Sequence, residues 1–255
     1  MLKLGVDNGN YNTKSSEGMI YASGYAASDK EFIMPEMQLF FEGKYYAIGE
    51  RRLRFQQDKT REPDTFILTL PAIADAMKKA GTTNAEIALG VGLPIDSYGT
   101  QKEAFRRYFL RDNISFRFEG AFYRCRIAEC KVFAQGHAAL CRYYPQLKDY
   151  RSITLVDIGG YTVDILTLHD FRLDRSSCAS LRMGTITLYS RIQDTLQRSD
   201  ILLSDGLITD AIRGEIQHTE SKLIGAVVEQ TVTAYCKELF NALRERGLDL
   251  RLPMV

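Results

Sequence analysis

Residues 155–164 read Leu-Val-Asp-Ile-Gly-Gly-Tyr-Thr-Val-Asp, and residues 4–14 read Leu-Gly-Val-Asp-Asn-Gly-Asn-Tyr-Asn-Thr-Lys. Each stretch places Asp-x-Gly directly after a short apolar run and ahead of a second strand-like segment. The two copies are headed by Asp7 and Asp157, so the repeat is at the scale of a domain rather than of a short-period solenoid. The sequence therefore predicts two domains that each open with a strand, a glycine turn and a second strand.

The composition of these turns suits phosphate. Glycine lets the backbone approach an anion closely, and consecutive backbone N–H groups in such a turn point into one concavity. Lys14 would add a positive charge, and Asn10, Thr13 and Thr162 would add hydrogen-bond donors. The remaining predicted contacts are Asn8, Gly9, Asn12, Gly159, Gly160 and Tyr161. A single Asp-x-Gly turn is a common β-turn, so the prediction depends on the pair.

The two aspartates that end the first strands predict a metal. Asp7 and Asp157 would both point toward the phosphates, and two carboxylates there repel a polyphosphate unless a divalent cation lies between them. Magnesium keeps several waters and takes only one or two protein carboxylates. The sequence therefore predicts Mg²⁺ held by Asp7 and Asp157.

The composition limits the function classes. The chain has 255 residues, 45% of them hydrophobic and 25% charged, as in ordinary globular proteins. Its 33 basic and 32 acidic residues leave no strong overall field for nucleic acid or an anionic membrane. No apolar run reaches the length of a membrane span, and the N-terminus lacks the long apolar segment of a signal peptide. The five cysteines include no C-x-x-C pair, which indicates reduced thiols in the cytoplasm.

Strand-like and helical patterns alternate along the chain, which predicts an α/β protein. The polar, proline-containing segment 145–151 suggests a domain junction, with domains over residues 1–148 and 149–255. Six helices are expected, and Pro71 should kink or divide the first of them. Their predicted ranges are 64–80, 97–110 with Ser97 as cap, 135–144, 185–196, 203–212 and 221–246.

Strands are predicted between the helices. In the first domain they cover residues 2–6, 13–16, 19–25, 38–41, 44–48, 87–93, 114–118, 122–127 and 129–133. In the second domain they cover 153–156, 163–168, 171–181 and, at the end of the chain, 250–255. The basic run at residues 51–54 is interpreted as a solvated loop, with contact to another protein as the alternative.

These motifs resemble the actin/Hsp70/sugar-kinase superfamily. Residues 7–14 look like its phosphate-1 motif and residues 157–164 like its phosphate-2 motif. Residues 132–138 resemble the connecting segment that places Gln or Glu near the attacking water. Within the superfamily the chain is most similar to the plasmid-segregating ParM/StbA type, on the further evidence of residues 92–94 and 181–189.

The resemblance implies an actin-like (ribonuclease H-like) fold of two duplicated domains with mixed sheets flanked by helices. It implies that the two turns bind ATP or ADP with Mg²⁺ and that Gln135 and Asp157 serve slow ATP hydrolysis. Asp164 would be a secondary phosphate-2 residue, and Gly184 would face the ribose and phosphates. The family also implies self-association into filaments and a DNA-binding adaptor protein, with no direct contact to nucleic acid or membrane.

Two departures from the family pattern affect this expectation. Position 135 is Gln where the founding plasmid protein has Glu, and a neutral amide can orient a water but cannot act as a general base near pH 7. The family also has a glycine-rich adenine turn after a strand like residues 252–255, so the C-terminal part is expected to be missing. That would put full ATPase and filament activity in doubt.

Two other functions compete with the filament hypothesis. One is a small-molecule kinase of the same superfamily, similar to a type III pantothenate kinase, although no acceptor-site motif is evident. The other is an actin-fold interaction module that no longer binds nucleotide.

Overall fold

The computed structural model describes residues 1–53, 58–136, 140, 143, 145–170, 172–174 and 177–248, with the side chain of Asp96 excepted. The chain forms two compact units, Met1–Pro145 and a second from Gln146 onward. Each unit has its own sheet and its own hydrophobic core. No helix in the described ranges is long and apolar enough to cross a membrane.

The first unit is built on a nine-stranded mixed sheet in the order β3-β2-β1-β7-β9-β8-β5-β6-β4. Its strands are β1 Leu2–Asn8, β2 Asn12–Ser15, β3 Ile20–Ala22, β4 Gly24–Ser28, β5 Met37–Phe41, β6 Lys44–Arg52, β7 Asn84–Leu93, β8 Arg111–Phe118 and β9 Ala121–Ala134. β1, β7 and β9 run parallel in the middle, and the other pairs are antiparallel. Because parallel strands end at one edge, β1 and β9 bring their C-terminal residues to the same side of the sheet.

Two helices belong to this unit. α1, Asp64–Lys79, is buried along most of its length, and α2, Ile95–Phe109, packs on β9 through its apolar face. Two hairpins of this unit, β5–β6 and β8–β9, turn at Glu42-Gly43 and Glu119-Gly120, with all four residues at positive φ.

Several predicted boundaries in the first unit are wrong. The single strand expected over 19–25 is two strands, because Ser23 separates β3 from β4. The two strands expected over 122–133 are one continuous strand, β9, whose register shifts against β7 where it passes Ala128. α1 runs undivided through Pro71, and α2 begins at Ile95 after Pro94 rather than at Ser97. The predicted helix over 135–144 falls mostly outside the described residues.

The second unit has a smaller sheet and three helices. Its strands are β10 Ser152–Ile158, β11 Val163–His169, β12 Arg172–Leu173 and β13 Ala179–Leu181, all paired antiparallel around β11. Its helices are α3 Thr185–Gln197, α4 Asp205–Arg213 and α5 Ser221–Glu245. The predicted strand over 250–255 lies outside the described residues.

The helices of this unit follow from their sequence. In α5 the buried residues recur at helical spacing and form one face, as the amphipathic pattern predicts. α4 begins at Ser204, whose hydroxyl accepts from the N–H of Leu207 at 3.4 Å, and ends at Gly214, whose φ of 76° suits glycine. The three helices share one apolar core with the sheet.

Candidate functional site

The first glycine turn connects β1 to β2 through residues 9–12. The two strands pair antiparallel, with Asp7 directly opposite Lys14. A Cβ on Gly9 would lie 2.6 Å from the backbone oxygen of Asn12, closer than any side chain tolerates. The turn therefore requires glycine at this position for steric reasons.

The residue before the turn, Asn8, is tied to α1. Its side chain is 4% exposed, and its Nδ2 donates to Thr69 Oγ1 at 3.0 Å. The Thr69 hydroxyl in turn donates to the carbonyl of Thr65 at 2.8 Å. Asn8 Oδ1 is buried and has no hydrogen-bond partner among the described residues. Asn8 is also one of the residues that line a cavity of about 30 Å³, which is large enough for a water molecule.

Two hydroxyl groups support the turn from the side of β3. Ser23 Oγ donates to the carbonyl of Gly9 at 2.5 Å, and Thr13 Oγ1 lies 3.0 Å from the same Ser23 oxygen. The backbone N–H of Ser23 also donates to the carbonyl of Tyr11 at 3.0 Å. Thr13 is fully buried, so in this structure the partner of its hydroxyl is Ser23; a contact with phosphate stays a prediction.

Two basic side chains contact the same turn. Arg52 places its guanidinium carbon 3.5 Å from the centre of the Tyr11 ring, and its Nη1 donates to the Tyr11 carbonyl. The buried Lys59 donates from Nζ to the carbonyl of Asn8. Arg51 and Arg52 are exposed, as the solvated-loop interpretation predicts, but they belong to β6 and not to a loop. Arg52 also packs on the turn. Arg54 lies outside the described residues.

Gln135 meets Asp7 at the C-terminal edge of the sheet. Its Nε2 donates to an Asp7 carboxylate oxygen at 3.1 Å, and its backbone N–H donates to the carbonyl of Leu93 at 2.8 Å. A Cβ on Gly92 would lie 3.0 Å from Gln135 Cγ, so the glycine leaves room for this side chain. The structure thus brings together two predicted site residues that are far apart in sequence.

The second glycine turn connects β10 to β11 through residues 159–162. Asp157 lies opposite Asp164, and the N–H of Gly159 donates to the carbonyl of Thr162 at 2.8 Å. A Cβ on Gly159 would lie 3.1 Å from that same oxygen. The turn closes tightly across its first and last residues.

The two turns have the same construction. Each has four connecting residues between the last paired residues of its strands, 8 and 13 in one and 158 and 163 in the other. Each begins with a glycine whose Cβ would press on the backbone oxygen of the fourth residue. Each follows an aspartate that stands two positions before that glycine. The duplication seen in the sequence is therefore also present in the strand register.

Gly184 is placed against the second turn. Three consecutive N–H groups at the start of α3 donate to carbonyls of the turn at 2.9 to 3.1 Å, namely Gly184 to Tyr161, Thr185 to Gly159 and Ile186 to Gly160. A Cβ on Gly184 would lie 2.3 Å from the Gly160 oxygen. Gly184 thus permits the beginning of α3 to close on the turn, and its contact with a nucleotide stays a prediction.

The two aspartates of the second turn, Asp157 and Asp164, are register partners on neighbouring strands. Asp164 is 7% exposed and its Oδ2 accepts from the Thr162 hydroxyl at 3.2 Å, whereas Asp157 is partly exposed.

The donor set can be tested against magnesium. Within the part of the chain that the structure describes, no group of three or more His, Cys, Asp or Glu residues is placed to hold a metal. Magnesium bound with a nucleotide requires only one or two protein carboxylates, because phosphate oxygens and water supply the other ligands. Asp7 in the first unit and Asp157 in the second each offer one partly exposed carboxylate near the end of a strand. Their sharing of one metal stays a prediction.

Sequence reasoning missed the residues that support the first turn. They are Ser23, Arg52, Lys59 and Thr69, and they come from four separate segments of the chain. Of these residues only Arg52 belongs to a pattern considered in the sequence, the basic run at residues 51–54. Nothing in that run indicates its contact with Tyr11, which forms only in the folded unit.

Family models match most of the chain. Residues 5–137 match the model described as "Actin like proteins N terminal domain". Residues 155–251 match the model described as "Archaeal actin homologue MreB-like, C-terminal". The chain therefore belongs to the actin-like proteins of the type that includes the bacterial and archaeal homologues.

Solved structures show the same fold. The archaeal actin homologue Ta0583, in complex with ADP, is similar with a TM-score of 0.74 at 19% identity, covering 96% of this chain and 83% of that one. The apo psk41 parM protein has a TM-score of 0.71 at 13% identity over 99% and 83% of the two chains. A ParM filament from Clostridium botulinum has a TM-score of 0.67 at 16% identity over 93% and 82%. No curated protein sequence matches the chain. The predicted actin-like α/β fold is confirmed.

Proposed function

We propose that this chain is a nucleotide-dependent actin-like filament protein that binds ATP with Mg²⁺ between its two glycine turns and hydrolyses it slowly. The observation that carries the proposal is the matched construction of the two turns, each with a glycine whose Cβ would crowd the backbone oxygen three residues later and an aspartate at the same register position. Membership of the actin-like proteins supports it, and the similar protein Ta0583 was solved with ADP.

The proposed roles follow from the chemistry of each group. Backbone N–H groups of the two turns and the exposed Lys14 would hold the phosphates. Asp7 and Asp157 would hold the metal, directly or through water, and the metal would screen the phosphate charge. Gln135 would orient the attacking water through its amide, since it cannot remove a proton near pH 7. The other proposed contacts are Asn8, Asn10, Asn12, Thr13, Tyr161, Thr162, Asp164 and Gly184.

The biological role that we propose is plasmid DNA segregation by filaments that contact DNA through an adaptor protein in the cytoplasm. Similar structures include an Alp12 filament and AlfA bound to AMPPNP, which supports self-association as the working state. The near balance of 33 basic and 32 acidic residues favours an adaptor over direct DNA binding.

Calorimetry tests the nucleotide site. ADP is titrated into the full chain with Mg²⁺ and again with EDTA, using wild type and Asp157→Asn. We expect binding that weakens at least tenfold on removing the metal or the Asp157 charge. Asp200→Asn is the control, because it removes one exposed carboxylate of the same unit at a position where φ of 57° suits asparagine. Absence of binding by wild type at millimolar ADP would leave the interaction-module hypothesis.

Light scattering and electron microscopy test assembly. Filaments are expected with ATP and Mg²⁺ and fewer with ADP. A protein that binds nucleotide but stays monomeric at high concentration would contradict the filament role while leaving the site intact.

A further inference from the structure

Three side chains donate hydrogen bonds to carbonyls of the first glycine turn and of the residue before it. Lys59 donates to the carbonyl of Asn8, Ser23 to that of Gly9, and Arg52 to that of Tyr11. Two of these three donors carry a full positive charge, and hydrogen bonds from charged donors are stronger than neutral ones.

Fixing a carbonyl also fixes an amide. In a planar trans peptide the C=O of one residue and the N–H of the next point in opposite directions, and the described residues contain no cis peptide bond. Holding the carbonyls of residues 8, 9 and 11 therefore directs the N–H groups of Gly9, Asn10 and Asn12 away from Lys59, Ser23 and Arg52. Those N–H groups belong to the turn that the proposed function assigns to phosphate.

We infer that Arg52 and Lys59 are positioning residues that pre-organise this turn for phosphate, acting on the carbonyls behind the N–H groups rather than on the nucleotide. The inference rests on the proposed function for its ligand, a nucleoside di- or triphosphate. The claim that Arg52 and Lys59 hold the backbone of the turn in place does not depend on any ligand.

The geometry around Arg52 supports this assignment. β6 bulges where it pairs with the start of β4, with Arg51 at a φ of 44°. A Cβ on Gly24 would lie 2.5 Å from the Arg51 oxygen, so the bulge depends on glycine there. The bulged end of the strand places Arg52 over the face of the Tyr11 ring. There the guanidinium stacks on the ring and also donates to the Tyr11 carbonyl.

Lys59 acts at the other end of the turn. It is 5% exposed, and a lysine is rarely buried to this extent without partners for its charge. Lys59 donates to the backbone carbonyl of Asn8, and the side chain of the same asparagine donates to Thr69. Asn8 is thus held through its backbone by β-sheet pairing and Lys59, and through its side chain by α1.

Amide hydrogen exchange of the full chain without nucleotide tests the holding of the turn. Arg52→Gln removes the guanidinium and shortens the side chain, and Lys59→Met removes the ammonium while keeping the length of the lysine stem to Cε. We expect exchange in the segment 8–14 to be about tenfold faster in each variant, the loss that follows from one charge-assisted hydrogen bond. Exchange in the segment 158–164 of the same sample should be unchanged and reports whether the rest of the molecule is intact.

Matched variants separate position from charge. Arg51→Gln removes the same charge from the neighbouring residue and should exchange as wild type does. Arg52→Lys keeps the charge but lacks the planar guanidinium, so it should recover only part of the protection. Equal exchange in wild type, Arg52→Gln and Lys59→Met would overturn the inference, as would an equal effect from Arg51→Gln.

Calorimetry with ADP and Mg²⁺ then tests the link to phosphate. We expect about a tenfold weaker affinity in Arg52→Gln and Lys59→Met and no change in Arg51→Gln. Faster exchange with unchanged affinity would contradict the functional part of the inference. A wild type that binds no ADP would instead contradict the proposed function, and the exchange result would still decide whether the two side chains hold the turn.

Discussion

Gln135 Nε2 lies 3.1 Å from a carboxylate oxygen of Asp7 and donates a hydrogen bond to it. The contact joins the end of β9 to the end of β1, two parallel strands separated in the sheet only by β7. It places the amide that we assign to the attacking water next to the carboxylate that we assign to the metal.

Replacing Gln135 by Glu should make the site depend on pH. The change puts a second carboxyl group about 3 Å from Asp7, and two carboxylates at that distance raise the pKa of one of the pair. We expect the affinity for ADP with Mg²⁺ to change more steeply between pH 5 and 8 in the variant than in wild type. The measurement is calorimetry across that range.

Gln135→Ala is the control for that experiment. It removes the hydrogen bond without adding charge, so it should slow ATP hydrolysis by about ten- to a hundredfold while leaving the pH dependence of binding as in wild type. Identical pH profiles for wild type and Gln135→Glu would contradict the contact.

Gly184→Ala should destabilise the second unit strongly. The added Cβ would lie 2.3 Å from the backbone oxygen of Gly160, and a backbone atom cannot move aside without breaking the closure between α3 and the turn. We expect a loss of at least about 3 kcal/mol in the free energy of unfolding, measured by urea denaturation.

Gly225→Ala is matched to it, because it adds the same methyl group to a glycine of α5 with no atom within 4 Å of the new Cβ. It should gain about 0.5–1 kcal/mol from the better helix propensity of alanine. A Gly184→Ala protein as stable as wild type would show that α3 does not close on the turn as described.

Thr69→Val should destabilise the first unit. The hydroxyl of Thr69 accepts from Asn8 Nδ2 and donates to Thr65, and valine keeps the shape while leaving a buried amide without its partner. The expected cost is about 1–3 kcal/mol in urea denaturation. Thr231→Val is the comparison, since that hydroxyl also donates to a carbonyl four residues earlier but lies partly exposed on α5. Equal effects would argue against a special role for Asn8.

Much of the fold could be predicted from the sequence, because it rests on local patterns. Apolar periodicity located the long helices, and the Asp-x-Gly repeat located both turns. The predicted start of α2 is wrong because the helix begins at Ile95, directly after Pro94 and two positions before the serine expected to cap it. The long strand β9 was predicted as two because Ala128 and Glu129 interrupt its alternation.

The support behind the first turn could not be predicted. Lys59 and Ser23 gain their roles only when β3, β6 and α1 converge on residues 8–12, and neither stands in a pattern that differs from ordinary polar surface. The family resemblance predicts only that Gln135 lies near the attacking water, and no pattern in the sequence indicates its hydrogen bond to Asp7. Binding of a nucleotide by the glycine turns of the two units remains a prediction.

Alkaline pH should weaken the first unit through its buried thiols. Burial raises the pKa of Cys125 to about 12 and that of Cys130 to about 11, from an ordinary 9.0. Above pH 9 the unfolded chain therefore releases these protons while the folded chain keeps them, so stability is constant below pH 9 and falls as pH rises toward 11.

Urea denaturation at pH 8 and pH 10.5 measures that slope. The two thiols together account for a loss of up to about 4 kcal/mol, from ~1.4 kcal/mol per thiol for each pH unit. Cys125→Ala should show a smaller loss between the two pH values, even though its stability at pH 8 is lower. Cys236→Ala, at a partly exposed position, should keep the wild-type slope. A slope unchanged by Cys125→Ala would contradict the assignment.

The proposed function requires that the two glycine turns, which are distant in sequence, bind one and the same nucleotide. Amide hydrogen exchange of the full chain, with and without saturating ADP and Mg²⁺, tests this directly, because segments 8–14 and 158–164 are followed in one sample. We predict that both segments gain protection over the same range of ADP concentration. Protection of only one segment, or of neither while ADP is bound, would contradict the shared site.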